Sequence, residues 1–265
     1  MISGVKENFN KYAEKYDENA VVQKTMADEL FNNLKKYKDI FNNILEIGCG
    51  TGNLSSLLIN NLKYDKIFLN DISEKMIQRT SENINDKDKV NFLNENFEDL
   101  KSNKKFELIC SSATFQWFNN LDKSFSKIYE MLNQNGILLF STFIEDTFSE
   151  LDNSFKLTYQ EMNLPYKKVT LDFKNKDDIL LFLKKNNFLI ENSYVKEYKY
   201  YFNHPKEFLR SVREIGAKVN SDEITKVSVM RKMFDNYIKL YQNEERKIVA
   251  TYKVFYCICK KGVSK

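Results

Sequence analysis

Glycine and proline are scarce in this 265-residue chain, which contains seven glycines and two prolines. Glycine readily adopts the left-handed backbone angles of tight turns, so its few positions carry information. Three of the seven fall close together, at Gly48, Gly50 and Gly52. This cluster predicts a tight turn whose backbone can approach a ligand closely.

Metal-binding patterns and long apolar runs are also missing. The single histidine is His204, and the four cysteines, at 49, 110, 257 and 259, lack the spacing of a zinc site or a secreted disulfide framework. No stretch approaches the roughly 20 apolar residues of a membrane span, and residues 1–8 do not resemble a signal peptide. We therefore expect a cytoplasmic protein with free cysteines, no bound metal and no membrane association.

The charge of the chain is small but unevenly distributed. Its net charge is +4, yet residues 167–265 carry 22 Lys and Arg against 12 Asp and Glu, a balance of +10, and residues 1–166 carry −6. A basic C-terminal part favours an acidic partner. A solvated lysine-rich surface would have the same composition, so charge alone does not identify the partner.

Apolar runs alternate with helical patterns between residues 44 and 142. The run at 44–47 precedes the glycine cluster, and leucines follow that cluster at helical spacing. Ser73 is placed to cap the helix after the second run. The other predicted strands are 67–71, 90–93, 106–110, 137–140, 189–201 and 249–259. This order predicts an α/β fold with a doubly wound, mostly parallel, seven-stranded sheet.

The remaining segments are predicted to cover the carboxyl edge of that sheet, where ligands bind. We expect one domain over residues 1–265, with lid helices at about 1–40, a core at about 43–143, helical cap segments at about 146–187 and 205–246, and a last strand at about 249–260. Residues 205–240 are expected to be helical throughout.

The glycine spacing separates the turn from two other nucleotide-binding loops. A dinucleotide loop has glycine at its first, third and sixth positions, but the sixth position counted from Gly48 is Asn53. A Walker loop needs a lysine followed by serine or threonine, which does not follow these glycines. Asp71 suits the hydroxyls of a ribose, and Glu46 suits a cationic cofactor while repelling a pyrophosphate. The loop therefore favours a positively charged nucleoside cofactor over NAD.

These motifs resemble the first motif and the acidic position of class I S-adenosylmethionine-dependent methyltransferases, which have a Rossmann-like fold. The resemblance rests on residues 46–52 (Glu-Ile-Gly-Cys-Gly-Thr-Gly) and 70–73 (Asn-Asp-Ile-Ser), and it covers roughly 44–142. It implies S-adenosylmethionine as cofactor and S-adenosylhomocysteine as product. The implied cofactor-binding residues are Gln23, Glu46, Gly48, Cys49, Gly50, Gly52, Asp71, Ile72, Met76, Asn96, Phe97 and Ser111. Many relatives have Asp where this chain has Asn96.

The chain also resembles a narrower family, the malonyl-[acyl-carrier-protein] O-methyltransferases of biotin synthesis. The shared motifs are Phe-Gln-Trp-Phe at 115–118, residues 140–143 and 146–148, the N-terminal pattern of Phe9, Tyr12, Tyr16, Asp17, Ala20 and Gln23, and residues 209–211 and 215–217. This resemblance implies methyl transfer to the free carboxylate of a malonyl thioester, giving the methyl ester that serves as primer in biotin synthesis. The Asn/Asp-Pro-Pro-aromatic tetrad of enzymes that methylate nucleic-acid bases is absent, which disfavours nucleic acid.

The resemblance implies roles for a few further residues. Because the malonyl carboxylate is ionised at neutral pH, no general base is needed. Arg210 is the candidate that fixes the carboxylate, Tyr16 closes the site together with Gln23, and Trp117 forms a pocket wall. We expect a monomer that docks an acidic acyl carrier protein through its basic C-terminal part. The candidate docking residues are Lys206, Arg213, Lys218, Arg231 and Lys232.

Other interpretations stay open at this point. Phe9, Tyr12 and Tyr16 are also spaced as the buried face of one helix, and Arg210 equally fits a solvated basic helix. A protein of the same fold could methylate another small acceptor such as a quinone, fatty acid or sugar acid. It could also bind S-adenosylmethionine without catalysis. RNA methylation stays open because of the basic region, and malonyl-coenzyme A is an alternative to the protein-bound thioester.

Overall fold

The computed structural model describes residues 2–85, 87–166, 168–216 and 226–262. Two residues of the sequence analysis lie outside the described residues: Ala217, of the shared motif at 215–217, and Lys218, one of the candidate docking residues. Within those described ranges, none of the helices has the length and apolar character needed to cross a membrane.

Seven strands of the described residues form one sheet. In chain order they are β1 (Ile40–Ile47), β2 (Lys63–Asp71), β3 (Val90–Asn94), β4 (Phe106–Ser112), β5 (Leu132–Phe143), β6 (Phe188–Phe202) and β7 (Ile248–Lys261). Their spatial order is β3-β2-β1-β4-β5-β7-β6. β7 pairs antiparallel with β5 and β6, and the other pairs are parallel. The prediction of a mostly parallel seven-stranded sheet is confirmed.

Helices occupy the connections between these strands. They are α1 (Ile2–Tyr12), α2 (Tyr16–Asn19), α3 (Val21–Leu34), α4 (Asn53–Asn61), α5 (Glu74–Asn83), α6 (Leu121–Met131), α7 (Ser149–Glu161), α8 (Lys176–Lys185), α9 (Pro205–Glu214) and α10 (Val227–Tyr241), with a 3₁₀ turn at Phe115–Trp117. Ser73 caps α5 as predicted, because its hydroxyl accepts from the Met76 amide at 3.2 Å.

The central strands are buried on both faces of the sheet. On one face Ile44 of β1 packs in the same apolar cluster as Leu108 of β4, and on the other face Leu45 packs in the same cluster as Ile109. A parallel strand covered on both faces is apolar at successive positions rather than at alternate ones. This burial explains why Ile44 and Leu45 are both apolar instead of alternating with polar residues.

The chain changes the direction of sheet building at β1. From β1 it proceeds to β2 and β3 on one side, then crosses to β4 and β5 on the other side. The connections that leave the carboxyl ends of β1 and β4 therefore separate and leave a crevice between them. In open parallel sheets this crevice is the place where ligands bind.

Residues 205–240 differ from the expectation of one helical segment. α9 ends at Glu214, and Gly216 has a φ of +76°, the left-handed conformation that terminates helices. α10 begins at Val227. A Cβ on Gly216 would lie 2.8 Å from the Phe9 ring, so the end of α9 packs directly against α1.

Candidate functional site

The turn between β1 and α4 is built on its three glycines. Gly48, Gly50 and Gly52 have φ values of +73°, +56° and +93°. The Gly48 amide donates to the carbonyl of Asn70 at 2.8 Å, which fixes the turn against the end of β2. A Cβ on Gly48 would lie 2.1 Å from Oγ1 of Thr114, whereas no protein atom lies within 4 Å of the corresponding position at Gly50. The turn thus presents bare backbone to open space at Gly50.

The carboxylate of Asp71 lies beside this turn at the end of β2. One of its oxygens accepts from the Gly50 amide at 2.9 Å and the other from the Ser73 amide at 2.8 Å. Burial raises the pKa of Asp71 to about 6, while the amide donors act in the opposite direction. Asp71 is therefore held rigidly, is ionised at neutral pH, and retains lone pairs for further donors.

A cleft with about 710 Å³ of empty space, the main cleft, opens over the turn. The walls come from the ends of β1, β2 and β4, the loop after β3, and the N-terminal helices. The main cleft therefore occupies the crevice at which the direction of sheet building changes.

The loop after β3 is held in place by Lys127 of α6. Lys127 Nζ donates to the carbonyls of Phe97 and Glu98 at 2.6 and 3.3 Å. The Phe97 ring stacks on Phe118 with centroids 5.8 Å apart. Asn96 Nδ2 donates to a carboxylate within the same loop at 2.7 Å. This wall of the main cleft is thus fixed from both sides.

A second chamber, with about 570 Å³ of empty space, adjoins the main cleft. The two share four wall residues, Phe9, Tyr16, Ala113 and Trp117. The rest of the wall is mostly apolar and includes residues of β5, α9 and β7 and of the segment 170–173. No charged side chain among the described residues lines the second chamber. Molecules bound in the two spaces would meet at the shared wall.

Two side-chain hydrogen bonds fasten the N-terminal helices over the main cleft. Thr51 of the glycine turn donates to the Asp17 carboxylate at 2.6 Å, and Ser73 donates to Oδ1 of Asn10 at 2.7 Å. The Phe9 ring meets the Trp117 ring edge-on, with centroids 5.6 Å apart. These contacts hold α1 and α2 against the opening and limit the access of water.

Most residues expected at the cofactor line the main cleft. They are Gly48, Gly50, Asp71, Ile72, Met76, Asn96 and Phe97. Tyr16 and Trp117, expected beside the reacting groups, line both spaces. Gln23 was expected at the cofactor, but it lines the second chamber and not the main cleft, because α3 begins behind the shared wall.

Three residues that were expected to bind the cofactor lie beneath the glycine turn and do not line the main cleft. Gly52 is the residue just before α4, and Cys49 is buried with its sulfur 3.8 Å from Oγ1 of Thr80. Ser111 is fully buried, and its hydroxyl donates to the carbonyl of Ile47 at 2.8 Å. The structure therefore places these residues one layer beneath the ligand space.

Glu46 also differs from the expectation that it contacts a cationic cofactor. Its carboxylate is 1% exposed, accepts from the Ser55 hydroxyl at 2.6 Å, and does not line the main cleft. Burial raises the pKa of Glu46 to about 8, against the opposing effect of that hydrogen bond. Glu46 thus connects β1 to α4 beneath the turn.

Arg210 lies outside both spaces, contrary to the expectation that it fixes the acceptor inside the site. It is exposed on α9, while Phe208 and Val212 of the same helix face inward and are buried. No ion pair or hydrogen bond of its side chain to another described residue occurs. The helical period explains the difference, because positions two residues apart point in nearly opposite directions.

Several wall residues were missed by the sequence analysis. Val5 lines the main cleft one helical turn before Phe9, so the spacing of four residues could have identified it. Thr170, Val212 and Tyr252 line the second chamber. They lie on three distant parts of the chain, and no local pattern relates them.

The chain is similar to known methyltransferases over nearly its whole length. A family model described as a methyltransferase domain matches residues 41–206. The chain is 35% identical over 242 residues to malonyl-[acyl-carrier protein] O-methyltransferase 2 of Ilyobacter polytropus, covering 89% of this chain and 90% of that protein. It is 35% identical over 270 residues to malonyl-[acyl-carrier protein] O-methyltransferase of Bacillus cereus, covering 97% of each.

A solved structure supports the fold independently of sequence. The N-methyltransferase NodS of Bradyrhizobium japonicum, in complex with S-adenosyl-L-homocysteine, aligns with a TM-score of 0.56, covering 97% of this chain and 98% of that one. At 9% identity this likeness concerns the fold alone. Taken with the full-length relatives and the glycine turn at the sheet crevice, it leads to one conclusion: the chain belongs to the malonyl-[acyl-carrier protein] O-methyltransferase family, within the class I methyltransferases.

Proposed function

We propose that this chain transfers the methyl group of S-adenosylmethionine to the free carboxylate of a malonyl thioester on an acyl carrier protein. The products are S-adenosylhomocysteine and the malonyl methyl ester, which serves as primer in biotin synthesis. The observation that carries the proposal is the pair of adjoining spaces in a chain of this family. One has a polar backbone turn and a fixed carboxylate, and the other is apolar and lined by no charged group of the described residues.

The groups of the main cleft fit S-adenosylmethionine. Asp71 has lone pairs available for the two ribose hydroxyls, and the open space at Gly50 admits a ligand against the backbone. Met76 and Phe97 give the cleft apolar surface suited to a purine. When bound, the cofactor supplies an electrophilic methyl group on a positively charged sulfur.

The residues at the shared wall align the reactants and keep water out. The malonyl carboxylate is ionised at neutral pH, so a C–O bond forms while the C–S bond breaks, the electron pair of that bond stays on sulfur, and no proton moves. Burial raises the pKa of Tyr16, so its hydroxyl keeps its proton and acts as a donor. Phe9 and Trp117 exclude solvent, and alignment supplies most of the rate enhancement.

The outer face of α9 is suited to dock an acidic carrier protein. Lys206, Arg210 and Arg213 are exposed at helical spacing, and none forms an ion pair with another described residue. On the inner face of the same helix, Val212 lines the second chamber. A carrier bound outside α9 has its acyl arm close to the chamber. We therefore assign Arg210 to docking, whereas Lys232 is already paired with Glu161 at 3.0 Å.

The proposal is tested by mass spectrometry of the acceptor after incubation with S-adenosylmethionine. Malonyl-acyl carrier protein is the substrate, and malonyl-coenzyme A and acetyl-acyl carrier protein are the controls. We expect one added methyl group on the malonyl carrier and none on the acetyl carrier. Cofactor binding by calorimetry without transfer to the malonyl carrier would contradict the proposal and favour another small acceptor or a non-catalytic binding protein.

A further inference from the structure

Three polar side chains that line the second chamber are more than nine-tenths buried and have no hydrogen-bond partner among the described residues. Gln23, Thr170 and Tyr252 are 8%, 6% and 5% exposed, and all three line this chamber. No hydrogen bond among the described residues involves the Gln23 amide or either hydroxyl. Their polar atoms stay accessible from the chamber, so they are free to bond to a polar ligand in an otherwise apolar space.

Gln23 also lies at an unusual place in its helix. α3 has 14 residues, and Gln23 is the third of them. Ala20 precedes the helix without a capping side chain, and no acidic residue lies in the first turn. The partial positive charge of a helix N-terminus is therefore not balanced by an anionic cap in this turn. Two acids, Asp17 and Glu18, lie in α2 before this helix, and Asp17 accepts from Thr51 at the glycine turn.

The chamber offers an anion donors but no full positive charge. Its lining contains no lysine, arginine or histidine of the described residues. Gln116 is already engaged, since its amide donates to the Ala113 carbonyl at 2.6 Å and its oxygen accepts from Thr142 at 2.9 Å. Gln23 has both amide hydrogens free, and the hydroxyls of Thr170 and Tyr252 line the same chamber, as does that of Tyr16 on the shared wall. A carboxylate has lone pairs enough to accept from all of these donors.

Neutral donors suit methyl transfer to a carboxylate for an electrostatic reason. The carboxylate loses its negative charge as the ester forms, so a cation bound to it would stabilise the reactant more than the transition state. Such a cation would raise the barrier. Hydrogen bonds from an amide and hydroxyls hold the carboxylate with a smaller penalty on the reaction.

We propose that Gln23, together with Thr170 and Tyr252, binds the free carboxylate of the acceptor at the uncapped start of α3, without a cationic residue. This inference rests on the proposed function and gives the acceptor-binding role to Gln23 instead of Arg210. An acyl chain without the terminal carboxylate leaves the three donors unpaired and binds more weakly.

The test compares Gln23→Met, which keeps the length of the side chain but removes its donors, with Gln160→Leu on the exposed face of α7 as control. Steady-state kinetics with malonyl-acyl carrier protein are measured beside calorimetric titration of S-adenosylmethionine. For Gln23→Met we expect KM for the malonyl carrier to rise about 10- to 100-fold, the loss of a hydrogen bond to a charged group. The dissociation constant of S-adenosylmethionine should change less than about threefold, a difference below 1 kcal/mol.

A second readout separates carboxylate binding from packing. Acetyl-acyl carrier protein serves as a competitive inhibitor that lacks the carboxylate, and its inhibition constant should be nearly the same in Gln23→Met and in the wild type. An inhibition constant that rises together with KM would overturn the inference, because it would show a general loss of shape. Gln23→Glu places a negative charge beside the acceptor carboxylate and repels it, so this variant should lose more activity than Gln23→Met. Thr170→Val gives an independent smaller increase in KM.

The outcomes distinguish this inference from the proposed function. A wild-type enzyme that does not methylate malonyl-acyl carrier protein contradicts the proposed function itself. A wild type that does so, with an unchanged KM in Gln23→Met, overturns only the role of Gln23. Should Gln23→Met lose cofactor binding as well, Thr170→Val decides, and an unchanged KM in that variant also counts against the site.

Discussion

The main cleft and the second chamber are adjacent, yet the chain builds them in different ways. The main cleft is made largely of loops that follow β1, β2, β3 and β4, and its polar lining includes the backbone of the glycine turn and the Asp71 carboxylate. The second chamber is made of side chains from α3, β5, α9, β7 and residues 170–173, and its wall is mostly apolar. A common cofactor can be bound by backbone geometry, whereas an acceptor has to be selected by side chains.

The two spaces should therefore respond separately to substitution. Changes in the turn should alter cofactor affinity, and changes in α9 should alter acceptor use. The four residues of the shared wall are the exception. The expected effects decrease from Asp71 and the glycine turn, through Glu46 and Val212, to Arg210.

Asp71→Ala should have the largest effect, because it removes both the proposed acceptor for ribose hydroxyls and the tether of the Gly50 and Ser73 amides. We expect the affinity for S-adenosylmethionine to fall at least about 100-fold, the loss of two hydrogen bonds to a charged group. Calorimetric titration measures this affinity, and Asp65→Ala, at an exposed position, is the control. An unchanged affinity would show that Asp71 does not bind the cofactor.

Gly48→Ala should destabilise the fold by about 2–4 kcal/mol, the sum of a clash and a left-handed backbone angle. Its Cβ would meet Thr114, which leaves no room for it. Gly50→Ala has open space and only the backbone penalty, about 1–2 kcal/mol, but its methyl group would enter the main cleft. In urea unfolding, the free energy of unfolding should be lower for Gly48→Ala than for Gly50→Ala. Equal losses in the two variants would show that the Thr114 contact is unimportant.

Glu46→Gln should change the pH dependence of stability. The folded state holds the Glu46 proton up to a pKa of about 8, above the ordinary value of 4.5, so the wild type loses stability as pH rises through that interval. The variant lacks this loss and should be more stable than wild type at about pH 9, on the order of a few kcal/mol, and similar at about pH 4. Thermal unfolding over this pH range measures the difference. Parallel curves for the two proteins would contradict the assignment.

Val212→Phe should affect the second chamber alone. Val212 is 1% exposed and lines the chamber, so a larger ring reduces the space for an acyl chain. We expect KM for malonyl-acyl carrier protein to rise about 10-fold, the equivalent of 1.4 kcal/mol, with cofactor affinity unchanged. The exposed Val195→Phe on β6 is the matched control. A parallel loss of cofactor affinity would show that the two spaces are coupled.

Arg210→Ala should have the smallest effect. Because Arg210 is exposed on the outer face of α9, we expect KM for the carrier to rise a few-fold at low salt and hardly at all at about 0.5 M salt, where charges are screened within a few ångströms. The same substitution should leave malonyl-coenzyme A use unchanged. A large loss of kcat at high salt would instead indicate that Arg210 contacts the acceptor carboxylate.

The fold and the main cleft could largely be predicted because their signals are local. The run at 44–47, the spacing of Gly48, Gly50 and Gly52, and Asp71 at the end of β2 each follow from neighbours in the chain. The backbone angle of Gly216 was not predicted, and residues 205–240 were expected to form one helical segment. Gly216 was itself a local signal for a helix end, because glycine readily adopts the left-handed conformation, and the sequence analysis did not use it. Only its close approach to Phe9 depends on the tertiary structure.

The sequence alone determined the α/β sheet, the position of the turn and the family, because strand order and turn chemistry depend on periodicity and on residues close in the chain. Only the tertiary structure decided that Glu46 lies beneath the turn, which face of α9 is exposed, and that Gln23, Thr170 and Tyr252 line one chamber. Burial depends on packing between segments that are distant in the chain, as Gln23 is from Thr170, and no local pattern encodes it.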